Sequence, residues 1–140
     1  MKLKTSILIL LLVGCAHVES NKLFYDSVKT NPDEGKPLNM KFKEISREEK
    51  YSIVEVKYIS GASVPSTMFI VKGMYEIAKL RGSNYFINLK EWKNENGDWM
   101  YKVGFTNNDN IDLSSYFGED LKNKEKLKFL SVSDYKLIWD

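Results

Sequence analysis

MFIVKGMYEIAKLRGSNYFINLKEW, residues 68–92, decides the fold, because its two halves follow different periods. In residues 68–82, Ile70, Met74, Ile77, Ala78 and Arg81 recur at three- and four-residue steps, with Val71 beside them. That is the spacing of one helix face. Lys79 and Arg81 suit the negative pole of a helix dipole, and Gly82 is a natural stop, since it takes a left-handed conformation without a Cβ clash. Ser66 or Thr67 can cap the start. Gly73 weakens a helix interior, so it marks a close approach of helix to sheet. Residues 84–92 then switch to alternation. Tyr85, Ile87 and Leu89 share one face and Phe86 takes the other, which predicts a central strand, apolar on both sides at its start.

Strand signals extend in both directions. Residues 38–45 alternate Met40 and Phe42 against Lys41 and Lys43. Residues 51–59 place Val54, Val56 and Tyr58 inward against Glu55 and Lys57, and the two runs form an antiparallel pair across a charged turn. SGASVPST, 60–67, reads as a loop before the helix. After residue 92, Asn96-Gly97 between two alternating runs signals a hairpin. Its second strand, 99–106, aligns Trp99, Tyr101, Val103 and Phe105, with Trp92 expected near Trp99 or Tyr101 across the ladder. Residues 107–130 read as a loop with one short helix. Residues 131–139 alternate Tyr135, Leu137 and Trp139 against their neighbours and predict a closing strand. The expected architecture is α+β, one main helix packed on an antiparallel sheet of about five strands.

The N-terminus has a different character. Lys2 and Lys4 precede an unbroken apolar run from Ile7 to Val13, followed by Gly14 and Cys15. A basic start and an apolar run too short to span a bilayer have the layout of a secretory signal peptide. Leu12-Val13-Gly14-Cys15 resembles the lipobox of bacterial lipoproteins. The resemblance implies diacylglycerol transfer to the Cys15 thiol, cleavage before Cys15, and attachment of the mature chain to a membrane through its N-terminal lipid. Ala16 follows the cysteine where an aspartate favours inner-membrane retention, so the resemblance further implies the outer membrane, facing the periplasm. The expected division is a signal peptide at 1–14, a lipidated tether at 15–37 and one domain at 38–140. Within the tether, Leu23, Phe24, Tyr25 and Val28 can add a short strand or pack on the domain. Around the helix end, EIAKLRGSNYFINL is similar to a segment of small envelope lipoproteins of uncharacterised function, a likeness that carries no catalytic residue.

Removing residues 1–14 removes two lysines and no acids, so Lys plus Arg falls from 21 to 19 against 19 Asp plus Glu. The mature chain is formally neutral, and no basic nucleic-acid face is expected. Eight Tyr, seven Phe and three Trp, all after the signal, favour a packed domain over a disordered tail. Cys15 is the single cysteine, so the domain has no internal disulfide to lean on.

Candidate chemistry is sparse. His17, the single histidine, stands in the tether, where no rigid shell can aim it at a nucleophile or a metal. The carboxylates are scattered among lysines or beside turns, which is the pattern of a solvated surface. A cell-wall hydrolase would need two of them across one cleft. Asn108, Asn110, Asp112 and Glu119 echo the spacing of a calcium loop, but position one is Asn and position six is Leu113 rather than Gly. Neither a metal nor another cofactor is expected. The aromatic residues Trp92, Trp99, Tyr101, Tyr116 and Trp139 are the candidates for a binding surface. The expectation is a lipid-anchored envelope protein that acts by binding, without catalysis, as an accessory of another envelope protein. A small-ligand or glycan binder is the alternative, with a carboxylate-based cell-wall hydrolase behind it.

Overall fold

A computed structural model describes residues 22–30, 37–118, 121 and 126–140. Cys15 and His17 lie outside the described residues. The chain runs β1 (Tyr25–Lys29), β2 (Asn39–Arg47), β3 (Tyr51–Ser60), α1 (Ser63–Arg81), β4 (Tyr85–Lys93), β5 (Trp99–Thr106), α2 (Leu113–Phe117), β6 (Leu130–Ser131) and α3 (Val132–Trp139). The strands form one curled antiparallel sheet in the order β1-β2-β3-β5-β4-β6, with α1 laid on one face. The α+β architecture with one main helix is as expected. The sheet has six strands rather than about five.

The short strand allowed within residues 15–37 is present, and β1 pairs with β2 from Tyr25↔Lys43 to Lys29↔Asn39. Two elements differ from expectation. The main helix starts at Ser63. Pro65 fits its first turn, where backbone N–H groups have no intrahelical partner. Ser66 and Thr67 therefore lie inside the helix, and their hydroxyls donate back to the carbonyls of Ala62 and Ser63 at 2.6 and 2.9 Å instead of capping. Finally, residues 132–139 form a helix, not a strand. Tyr135 and Trp139 are spaced i, i+4 as well as in alternation. Their rings stack at 4.8 Å and pack on Tyr75 of α1. Leu137, assigned inward by the strand reading, is instead 93% exposed. Ser131 stands at the N-cap and Asp134 in the first turn, the signature of a helix start.

The stop at Gly82 is as expected, with φ of 67° and its N–H donating to Lys79 O at 3.0 Å. In the hairpin, the Asn94 side chain accepts from the N–H groups of Asn96 and Asp98, both at 2.9 Å, while Gly97 supplies a φ of 79°. β4 carries a register shift between Asn88 and Lys90. That bulge places Trp92 opposite Met100, on the face away from Tyr101 and Trp99, and so corrects the expected pairing. Tyr58 is exposed at the end of β3, its hydroxyl donating to Gly61 O.

Both faces of β4 are buried at its start because the molecule has two cores. The larger lies between sheet and helices, with Met40, Phe42, Val54, Val56, Ile77 and Phe86 at its centre. Here Gly73 brings α1 against the Phe42 ring, where a Cβ would sit 2.5 Å away. The smaller core lies on the opposite face at one end, where Ile87 and Leu89 meet Phe117 and Leu121.

Candidate functional site

The sites that carry polar chemistry sit at the borders of the larger core. The first is built on Glu44, fully buried on the helix-covered face of β2. Its Oε1 accepts from Arg47 Nε at 2.8 Å and Ser52 Oγ at 2.7 Å. Its Oε2 accepts from Arg47 Nη2 at 2.7 Å and the Phe24 N–H at 2.9 Å. Burial raises the carboxyl pKa, but the hydrogen bonds from Arg47, Phe24 and Ser52 together outweigh it and hold Glu44 below its ordinary value. The backbone closes the same link, since the Glu44 N–H donates to Phe24 O at 2.8 Å. All near acceptor positions of this carboxylate are thus committed, and the result is a clamp that fastens the start of β1 to the sheet. Arg81 lies close by, its guanidinium 4.5 Å from the Phe105 ring and donating to Glu48 O at 2.6 Å. Burial, then the charge of Arg47, lowers its pKa.

The second cluster joins α1 to α3. Tyr75, buried on α1, donates to Asp140 Oδ1 at 3.0 Å, and Lys79 Nζ reaches the same oxygen at 2.8 Å. Lys79 lowers the Asp140 pKa, and Asp140 raises that of Lys79. Burial and then Asp140 raise that of Tyr75. With the Tyr135–Trp139 stack, this fixes a short helix that exposes Leu137 and Ile138 beside Ser133, Asp134 and Lys136. Leu137 and Ile138, the latter 62% exposed, face away from the core. On α1, Val64 and Met68 are also exposed, on the stripe that Tyr75 belongs to.

The five aromatic candidates fall on two faces of the sheet. Tyr101 is buried in the larger core, and Trp139 is part of the stack on Tyr75. Trp99 is on the same side at the rim, with Lys93 Nζ 4.9 Å from its ring centroid. Trp92 is half-buried on the other face, with Lys90 Nζ 5.5 Å away. Tyr116 is on α2, packed edge-on against Phe117 and under Lys50 at 4.5 Å. Within the calcium-like stretch, Asp112 caps α2 by accepting from the Ser115 N–H at 2.9 Å, and Asn108 Oδ1 accepts from the Asn110 N–H. Glu119 lies outside the described residues. Among the described residues, no group of three His, Cys, Asp or Glu is placed to hold a metal ion.

Sequence reasoning did not find the Glu44 clamp, and one signal could have pointed to it. In an alternating strand that puts Met40 and Phe42 inward, Glu44 is the next inward position. A carboxylate there needs a partner, and Arg47 is three residues on. No family model, curated protein or solved structure matches this chain.

Proposed function

We propose that this chain is a lipid-anchored protein of the bacterial envelope that works by holding another envelope protein, without catalysing a reaction. The observation that supports this reading most is the pair Leu137 and Ile138 held outward on α3, Leu137 93% exposed on a helix locked to the core. A patch of this kind on a rigid element loses little conformational freedom when covered, so its apolar area counts towards affinity. The anchor follows from the resemblance of Leu12-Val13-Gly14-Cys15 to a lipobox. A second reading, a small-ligand or glycan binder, draws on Asn88 Oδ1, a buried acceptor beneath the helical layer without a hydrogen-bond partner among the described residues.

The test is site-specific photocrosslinking in living cells. A photoreactive residue is placed at Leu137 or, as control, at Asn96 on the hairpin tip. Each is carried in the anchored chain and in Cys15→Ser. The expected outcome is one discrete adduct from position 137, none from 96, and loss of the adduct in Cys15→Ser. No adduct from 137, or the same products from both positions, overturns the accessory reading.

A further inference from the structure

We infer that the open face of the sheet is a docking surface for an anionic lipid bilayer. The inference rests on the proposed anchor for its geometry and adds what the anchored domain does with its other side.

Residues directly opposite in an antiparallel ladder share a face. The register therefore assembles rows on the side away from α1. One row is Ser27, Lys41 and Lys57. The next is Tyr25, Lys43, Glu55, Met100 and Trp92. A third is Ile53, Lys102 and Lys90. Lys29 shares this face by alternation along β1. Lys29, Lys41, Lys43, Lys57 and Lys90 are exposed. Against these lysines the face carries Glu55, opposite Lys43, and Asp98 at the rim, 3.8 Å from Lys57. Other acids, such as Glu76 and Asp134, sit on the helices, and Asp140 ends α3. A formally neutral mature chain thus presents a positive face.

Three features select a bilayer. First, the surface spans five strands, about 20 Å at the usual strand spacing, and among the described residues the smaller core covers only the end that holds Ile87, Leu89 and Gly104. Second, its positive charges are all lysine. Both arginines of the chain, Arg47 and Arg81, stand by the Glu44 clamp on the helix-covered side. Lysine is a hydrated point charge that suits a diffuse anionic surface, whereas a shaped phosphate or carboxylate site favours the arginine fork. Third, aromatic rings stand among the lysines. Lys102 lies 4.0 Å from the Tyr51 ring and Lys90 beside Trp92, while Tyr25 is exposed next to Lys43. Tyr and Trp favour the headgroup level of a membrane. The chain between Cys15 and Tyr25 reaches at most about 35 Å when extended. An anchored domain is therefore held within reach of the headgroups, beside the edge strand that borders this face.

The experiment uses a chain beginning at Ala16. It keeps every described strand and helix and both cores, and lacks the apolar leader and the lipid site. Vesicles are pure phosphatidylcholine or contain 30% phosphatidylglycerol, at low and high salt. The expected result is binding to the anionic vesicles, loss of binding at high salt and none to the neutral ones. Each lysine near such a surface contributes roughly fivefold. The triple variant Lys41→Gln, Lys43→Gln, Lys57→Gln should therefore bind about a hundredfold more weakly. Its partner, Lys72→Gln, Lys93→Gln, Lys136→Gln, removes the same charge from the helical side and should change binding by less than fivefold. Circular dichroism melts check that both variants fold. As a second readout, quenching of tryptophan emission by headgroup spin labels should fall in Trp92→Phe and persist in Trp99→Phe. Equal losses in the two triple variants, equal binding to neutral vesicles, or binding only to a soluble polyphosphate or single-stranded DNA would each overturn the inference. Acylation of Cys15 is read separately, by mass spectrometry of the mature N-terminus. Vesicle binding without acylation removes the anchor and leaves the face standing.

Discussion

The two faces of the sheet are built from the same strands and do opposite things. On the covered face, Phe42 meets Val56, and Val54 stands between Glu44 and Tyr101, in rows that α1 seals from water. On the open face, Lys41 meets Lys57 and Lys90 meets Lys102. Like charges directly opposite cost stability, and an antiparallel sheet tolerates them only where water screens them. The lesson is in the exceptions. The covered face holds one buried carboxylate and must hydrogen-bond it completely. The open face is sealed at one end, where Phe117 of α2 closes over Gly104. Stability is concentrated on the first face, and the second is free to carry charge.

The covered face depends most on Glu44. Glu44→Ala leaves Arg47, Ser52 and the Phe24 N–H without their acceptor. The expected loss is about 2–3 kcal/mol, below the ~3–5 of a fully buried pair because Arg47 reaches solvent. Urea denaturation measures it, and hydrogen exchange should locate the local loosening in β1. A loss under 0.5 kcal/mol would mean that the clamp is not structural. The same residue sets a pH dependence. Its folded pKa lies below the ordinary 4.5, so its contribution is present above that value and disappears as pH falls through the depressed one. Stability of the native chain should therefore drop more steeply below pH 4.5 than that of Glu44→Gln.

Two glycines sharpen the contrast. An added Cβ at Gly73 would meet the Phe42 ring at 2.5 Å, and one at Gly104 would meet the Phe117 ring at 2.6 Å. Phe42 is locked under α1, while Phe117 sits on a five-residue helix that can shift. Gly73→Ala should cost about 2–3 kcal/mol and Gly104→Ala about 1–2, in thermal or urea melts of the two variants side by side. Equal costs would mean that the smaller core is as rigid as the larger. The smallest effect is expected at Leu137. Leu137→Ser should change stability by less than about 0.5 kcal/mol, because the side chain leaves almost no contact behind. A larger loss would show that this residue is part of the fold and not a free surface.

Periods and breakers made most of the fold legible in the chain. The period switch at Gly82, the stop itself, the Asn96-Gly97 hairpin and the alternation in β2, β3 and β5 are local properties. Backbone sterics and side-chain spacing set them before any distant contact forms. The pattern in β4 also held, and only its cause differed. Tyr85, Ile87 and Leu89 oppose Phe86 because the strand lies between two cores, although it is second from the sheet edge. Other features depended on partners far along the chain. Residues 132–139 satisfy alternation and helical spacing equally. Tyr75 and Phe86 decide between them by offering Tyr135 and Trp139 a common site. The bulge at Leu89 moved Trp92 to the other face, and the aromatic candidates were divided with it. Net charge was legible, but its distribution was not. Composition sums over the whole surface, while strand register sorts most strand lysines to one side and the buried Glu44–Arg47 pair to the other. The chain alone determined the strands β2 to β5 and the main helix, because those choices are local. The tertiary structure decided which face each side chain serves, because a face exists only once the strands have paired.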